Sequence, residues 1–419
     1  MMQTLKVSDN KRFLVHEDGK PFFFLGDTAW ELFHRLDDKE AEHYLSTRAR
    51  QGYNVIQAVG LAEFGGLTAP NANGDLPLHN NDPAKPNDAY FKHVDRLTKM
   101  ANDKGLYMAM LPTWGDKVNK KWGIGPEIFT PENARAYGLF LGRRYKDAGI
   151  IWVLGGDRPA ETDAHLAIWR AMAAGITDGD GGRHLKTYHP MGWQSSADKL
   201  HDEPWLDFNM LQSGHGSKVA ENYKLIGKDY NRTPLKPCMD AEPNYEDHPI
   251  DWKPETGWFG EYEVRRAAYW AVFSGAMGHT YGCHDIWQFW QPSRTPVSSA
   301  RTPWREALEF PGAKQMQHLK KLILSMPFLT RIPAQDLLSG ENPDGFSHIV
   351  ATSDQDRTFT LIYTPLSQQI RVDMSQFKSK NLNSQWFDPM TGARTRATHT
   401  QGSFSPPHGG KDWVLMLEM

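Results

Sequence analysis

Pro21-Phe-Phe-Phe-Leu-Gly26-Asp27-Thr28-Ala29-Trp30 is the stretch on which the fold turns. Its apolar opening reads as a strand covered on both faces, as parallel sheets require. A doubly wound sheet would follow such a strand with a glycine-rich phosphate turn. This one runs into Asp-Thr-Ala-Trp, which has no such turn. Seven more strand-like runs follow, at Tyr53–Val59, Leu106–Pro112, Ile150–Gly155, Leu185–His189, Phe208–Gln212, Pro234–Asp240 and Ala276–Tyr281. The seventh contains Pro234 and Pro237, which cannot donate to a ladder, so its start is poorly defined. Helical patterns separate the runs: one from Asp38, one over Tyr90–Lys104 and one over Glu261–Ser274. Another opens at Thr130-Pro131-Glu132, a cap followed by proline in the first turn. A closing helix spans about Arg305 to Leu324. The alternation predicts an α/β fold, a (β/α)8 TIM barrel over residues 1–325.

Beyond Leu324 the texture changes. Short runs at Phe346–Thr352, Thr358–Thr364, Gln369–Met374, Ser384–Phe387 and Trp413–Glu418 are divided by turn residues, with no long helical pattern left. This predicts a small all-β C-terminal domain, a β-sandwich, over residues 326–419.

Composition narrows the function. A net charge of −3, with dispersed Lys and Arg, gives no electrostatic case for nucleic acid or an anionic membrane. No apolar run is long enough for a membrane span, and the N-terminus has no apolar signal core. That reads as cytoplasmic, or as exported with a leader removed. The only cysteines, Cys238 and Cys283, form no Cys-x-x-Cys site and read as buried thiols, with one disulfide as the alternative. No cofactor motif appears, and the expected partner is a carbohydrate.

In a barrel of this type the chemistry sits just past the C-terminal ends of the strands. Those positions are unusually polar and aromatic. They hold Asp27 and Trp30, Gln57 and Glu63, Trp114 and Asp116, Asp157 and Arg158, and His189. Strands six to eight add Gln212, Ser213, His215, Asp240, Glu242, His279, Tyr281, His284 and Trp287. Any one could be structural. Together they make the lining expected around a polyhydroxylated ligand, where hydroxyls need hydrogen bonds and ring faces need aromatics.

Glycosidic cleavage needs one carboxyl group to protonate the leaving oxygen and another to attack or support the anomeric carbon. Strands four and seven face each other across a barrel mouth, which selects Asp157 and Glu242. Asp157 has a competing use as the ion-pair partner of Arg158, and Asp240 competes with Glu242 for one role. Gly155 and Gly156 are expected to let substrate approach the backbone. A zinc cluster of His279, Cys283 and His284 and a serine nucleophile at Ser213 are the weaker rivals. Gly123-Ile-Gly125 is too short for a phosphate loop.

The motifs resemble family 140 of the glycoside hydrolases, the apiosidase-like proteins. The resembling stretches are Phe-Leu-Gly-Asp-Thr-Ala-Trp-Glu-Leu-Phe-His-Arg-Leu (24–36), Gly-Tyr-Asn-Val-Ile-Gln (52–57), Trp-Val-Leu-Gly-Gly-Asp-Arg-Pro (152–159), Gln-Ser-Gly-His (212–215), Asp-Ala-Glu-Pro-Asn-Tyr-Glu (240–246) and Gly-His-Thr-Tyr-Gly (278–282). The C-terminal stretch, with Trp-Phe-Asp-Pro-Met-Thr-Gly, is similar to a module labelled collagen-binding; packing against the barrel is its more plausible role. The resemblance implies an acid/base at Asp157, a nucleophile at Glu242 and an apiose-linked pectic substrate, rhamnogalacturonan-II. Double displacement follows, with Trp30, Trp114 and Trp287 as sugar platforms. His189, His215, His279 and Tyr281 would contact hydroxyls. The alternatives are a glycosidase for another pentoside or furanoside, or a non-catalytic carbohydrate-binding protein.

Overall fold

The computed structural model describes residues 2–379 and 381–419. Eight parallel strands form the barrel: β1 (Phe24–Thr28), β2 (Val55–Leu61), β3 (Tyr107–Thr113), β4 (Ile150–Gly155), β5 (Lys186–His189), β6 (Asn209–Gln212), β7 (Cys238–Asp240) and β8 (Gly278–Tyr281). Pairing runs β5-β4-β3-β2-β1-β8-β7-β6. The seam between β5 and β6 is closed by the Asp207 N–H on the Lys186 carbonyl at 2.9 Å. The Thr187 hydroxyl reinforces it, donating to the Phe208 carbonyl at 2.6 Å. A ninth short strand, Gln194–Ser195, adds antiparallel to β6.

The first predicted run is divided. Pro21–Phe22 pairs backwards with Leu14–Val15 in a three-stranded hairpin sheet, and only Phe24–Thr28 enters the barrel. That hairpin packs Phe22 and His16 against Tyr107 at the start of β3, plugging the floor. The seventh strand starts at Cys238, past both prolines. Both cysteines are free and buried.

The C-terminal domain is antiparallel, with a six-stranded sheet centred on Trp413–Glu418 and a three-stranded sheet beside it. Side chains alternate across a strand, so two covered faces bury every residue. Accordingly Val414 and Met416 join the barrel's core, while Leu415 and Leu417 join a separate cluster against the small sheet. The barrel meets the sheet through the helix Glu261–Phe273. Tyr269 stacks on Tyr363 with centroids 4.9 Å apart, and the buried Arg265 pairs with Asp412 at 2.6 Å. No helix among the described residues is long and apolar enough to cross a membrane.

Candidate active site

A cavity of about 640 Å³ opens at the C-terminal mouth of the barrel. Both carboxylates singled out by strand position line it, Asp157 from the end of β4 and Glu242 from beyond β7.

Asp157 is reached through three successive left-handed residues: Gly155 at φ 86°, Gly156 at φ 123° and Asp157 itself at φ 54°. The glycines are required by neighbouring segments of the protein. A Cβ on Gly155 would lie 2.4 Å from the His189 carbonyl, and one on Gly156 would lie 2.8 Å from the Gly115 nitrogen. The close approach of β5 and the loop after β3 thus accounts for both glycines. Aspartate tolerates the left-handed region better than most residues.

Asp157 Oδ2 accepts from Arg158 Nη1 at 2.7 Å, so the competing ion pair is present. The same guanidinium holds Glu63 through Nη2 at 2.5 Å and lies under the Trp122 ring, 4.6 Å from its centroid. Burial, then the negative charge of Glu242, raise Asp157 to about 6 against the opposing pull of Arg158. Burial likewise raises Glu63 to about 7, with Arg158 resisting.

Glu242 has the opposite environment. His215 Nε2 donates to Oε1 at 3.1 Å, and His189 Nε2 stands 3.0 Å from Oε2. Burial alone would push this carboxyl up, but the two imidazoles prevail and bring it down to about 2. His189 is fixed by Trp30, edge-on at 5.3 Å, and by Trp114 at 6.1 Å. His215 packs on Tyr245 and His248, each with centroids 4.3 Å away. Behind the carboxylate, Gln57 reaches across the barrel and donates to the Ala241 carbonyl at 3.1 Å, bracing the end of β7.

Ten of the expected contacts line this cavity: Trp30, Glu63, Trp114, Asp157, Arg158, Gln212, His215, Glu242, His284 and Trp287. His189 is fully buried behind the cavity wall, against Glu242, Trp30 and Trp114. Five others lie away from it, which corrects their expected place among the substrate contacts. Asp27 is sealed below the mouth on Arg48 Nε at 2.7 Å. Gln57 is committed to the Ala241 carbonyl. Asp240 accepts from the Ser213 hydroxyl at 2.6 Å and from Asn222 at 2.9 Å, both protein partners. Tyr281 donates to Glu246 at 2.6 Å, and His279 is buried inside the barrel, its pKa lowered by burial to about 3. Among the described residues no group of three His, Cys, Asp or Glu side chains could hold a metal ion.

The sequence reading passed over Trp122, Trp193 and Trp252, whose half-exposed rings line the same cavity, together with Tyr245 and His248. Trp122-Gly123 and Gly192-Trp193 carry a usable signal. A tryptophan beside glycine, outside any periodic pattern, is one that local structure does not commit to a core.

Residues 8–330 match the family model described as the apiosidase-like catalytic domain. The chain belongs to the apiosidase-like family. Residues 332–418 match a second family, named for collagen binding in a collagenase. A solved structure titled glycoside hydrolase is similar over 99% of this chain and 97% of its own, at 34% identity and a TM-score of 0.89. A glycoside hydrolase of family 5 from Bacteroides vulgatus is 34% identical over 99% of this chain and 93% of its own, with a TM-score of 0.90. No curated protein matches. The apiosidase-like chain is thus a glycosidase, built as a barrel with an all-β C-terminal domain.

Proposed function

We propose that this apiosidase-like protein is a retaining glycosidase of family 140 acting on pectic glycans, with Asp157 as acid/base and Glu242 as nucleophile. The observation that carries the reading is one cavity holding two carboxyl groups with opposite proton affinity, Asp157 raised and Glu242 lowered. Glycosidic cleavage by two carboxyl groups requires that pairing, one protonated to give and the other ionised, and retention is what the family resemblance adds.

In the first step Glu242 attacks the anomeric carbon. The glycosidic C–O bond breaks, and the Asp157 proton passes to the leaving oxygen. An ester now joins sugar and Glu242, so the charge that helped raise Asp157 is gone. Asp157, still beside Arg158, becomes more acidic and suited to the second step. There it takes a proton from water while the water oxygen attacks the anomeric carbon and the ester bond breaks. Arg158 has a defined part, stabilising the Asp157 carboxylate once its proton has left.

The pectic substrate rests on the family, whose name points to apiose. The test is incubation with rhamnogalacturonan-II oligosaccharides, with the released sugar identified and its anomeric configuration followed by proton NMR from the first minutes. Release of an apiose-terminated product with retained configuration is expected. Initial inversion would remove Glu242 from the nucleophile role, and cleavage only of non-pectic glycans would remove the substrate.

A further inference from the structure

Trp193 and Trp252 both reach Gly216 at the cavity. An ideal Cβ on Gly216 would lie 3.8 Å from Trp193 Nε1 and 3.8 Å from Trp252 Cζ3, so both indoles are within contact of one point. The two indoles thus border a slot over the bare backbone of Gly216. The slot is continuous with the cavity that holds Asp157 and Glu242.

Folding does not account for it. The two indoles are 47% and 52% exposed, although burying such rings is among the larger gains available to a chain. Both residues also hold left-handed backbone, φ 61° at Trp193 and φ 57° at Trp252, where a bulky side chain is disfavoured. Strain of this kind collects where a ligand is held. Gly216 is equally unforced. Its φ is not left-handed, and an added methyl would meet only ordinary contacts. Its missing side chain serves to keep the slot open.

The slot is held in shape. The Trp193 N–H donates to the Gln212 carbonyl at 2.7 Å, and the Asp251 N–H donates to the His215 carbonyl at 2.9 Å. Both tryptophan loops are therefore tied to the β6 loop that carries Gly216. Trp252 also stands edge-on to His215, which holds Glu242, at 6.0 Å between centroids. The buried Trp30 and Trp114 wall the same cavity.

We infer that Trp193, Gly216 and Trp252 form a second sugar subsite, gripping the ring next to the one cleaved, so that the substrate is an oligosaccharide of at least two units. The apolar face of a sugar ring suits an exposed indole, and here two converge on one stretch of backbone. The inference rests on the glycosidase reading of the cavity but not on the pectic one.

Tryptophan fluorescence titration with unbranched oligosaccharides of one to six units tests it. The panel would be drawn from pectin, arabinan, xylan, galactan and mannan, and the Asp157→Asn protein would prevent turnover. Affinity should rise about tenfold from one unit to two, as stacking of this kind allows. The gain should vanish in Trp193→Ala and Trp252→Ala and shrink in Gly216→Ala, whose melting temperature should match the parent. Binding confined to non-pectic members would overturn the pectic assignment and leave the subsite standing. A gain that persists in all three variants, no gain from one unit to two, or no binding by any panel member would overturn the subsite.

Discussion

Oε1 of Glu242 accepts a hydrogen bond from Nε2 of His215 at 3.1 Å, and the same imidazole stacks on His248. The ring is thereby fixed with a donor aimed at the carboxylate, which keeps Glu242 ionised and oriented.

His215→Ala should raise the Glu242 pKa from its lowered position and move the acid limb of the kcat/KM profile to higher pH. A variant that loses rate at every pH with the limb unmoved would assign His215 to packing instead.

The alkaline limb should belong to Asp157. With a pKa near 6 it gives a protonated acid below that pH and a carboxylate above it. The rate should therefore be highest on the acid side and fall by about tenfold at pH 7. Asp157→Asn should erase this limb.

Asp157→Asn and Glu242→Gln should both fold, since asparagine also accepts the left-handed conformation at position 157. Loss of the general acid should cost about 10²–10⁴ in turnover. An activated aryl leaving group should restore the first step of Asp157→Asn, seen as a burst of released phenol, because it departs without a proton, and Glu242→Gln should show no burst. Restoration of both would undo the division of roles.

Asp27→Ala should act on stability instead. The Arg48 guanidinium, wholly buried, would lose its carboxylate partner, a change that costs about 3–5 kcal/mol in buried pairs. Denaturant melts should show it, while KM for any accepted substrate should remain close to that of the parent.

Gly155→Ala should be harmful out of proportion to one methyl. The new Cβ would meet the His189 carbonyl at 2.4 Å with φ at 86°, so β5 must shift and His189 with it. A cost of about 1–3 kcal/mol is expected from the strain alone. It should be accompanied by a displaced Glu242 limb in the pH profile.

These contrasts show which parts of the molecule could be read from residues. Strand and helix alternation was legible because burial on both faces leaves continuous apolar runs such as Ile150–Gly155. Strand ends were located well enough to bring Asp157 and Glu242 to one rim. Direction at the last residue was not legible. Asp27, Asp240 and Tyr281 end strands as Asp157 does, yet their side chains turn to Arg48, Ser213 and Glu246, partners supplied from remote positions. The rim tryptophans were hidden for another reason: loop shape, unlike strand period, is set by contacts such as Trp193 N–H to Gln212 that no local pattern announces.

The six-stranded C-terminal sheet is occupied on both faces, by its own small partner sheet and by the helix Glu261–Phe273. Detaching it would uncover Tyr269 and strand the Arg265 guanidinium without Asp412. Calorimetry should therefore record one endotherm for the whole chain. Evolution of the β-module is then constrained by the enzyme's heat tolerance, and an added recognition role would have to be confined to its edges and turns.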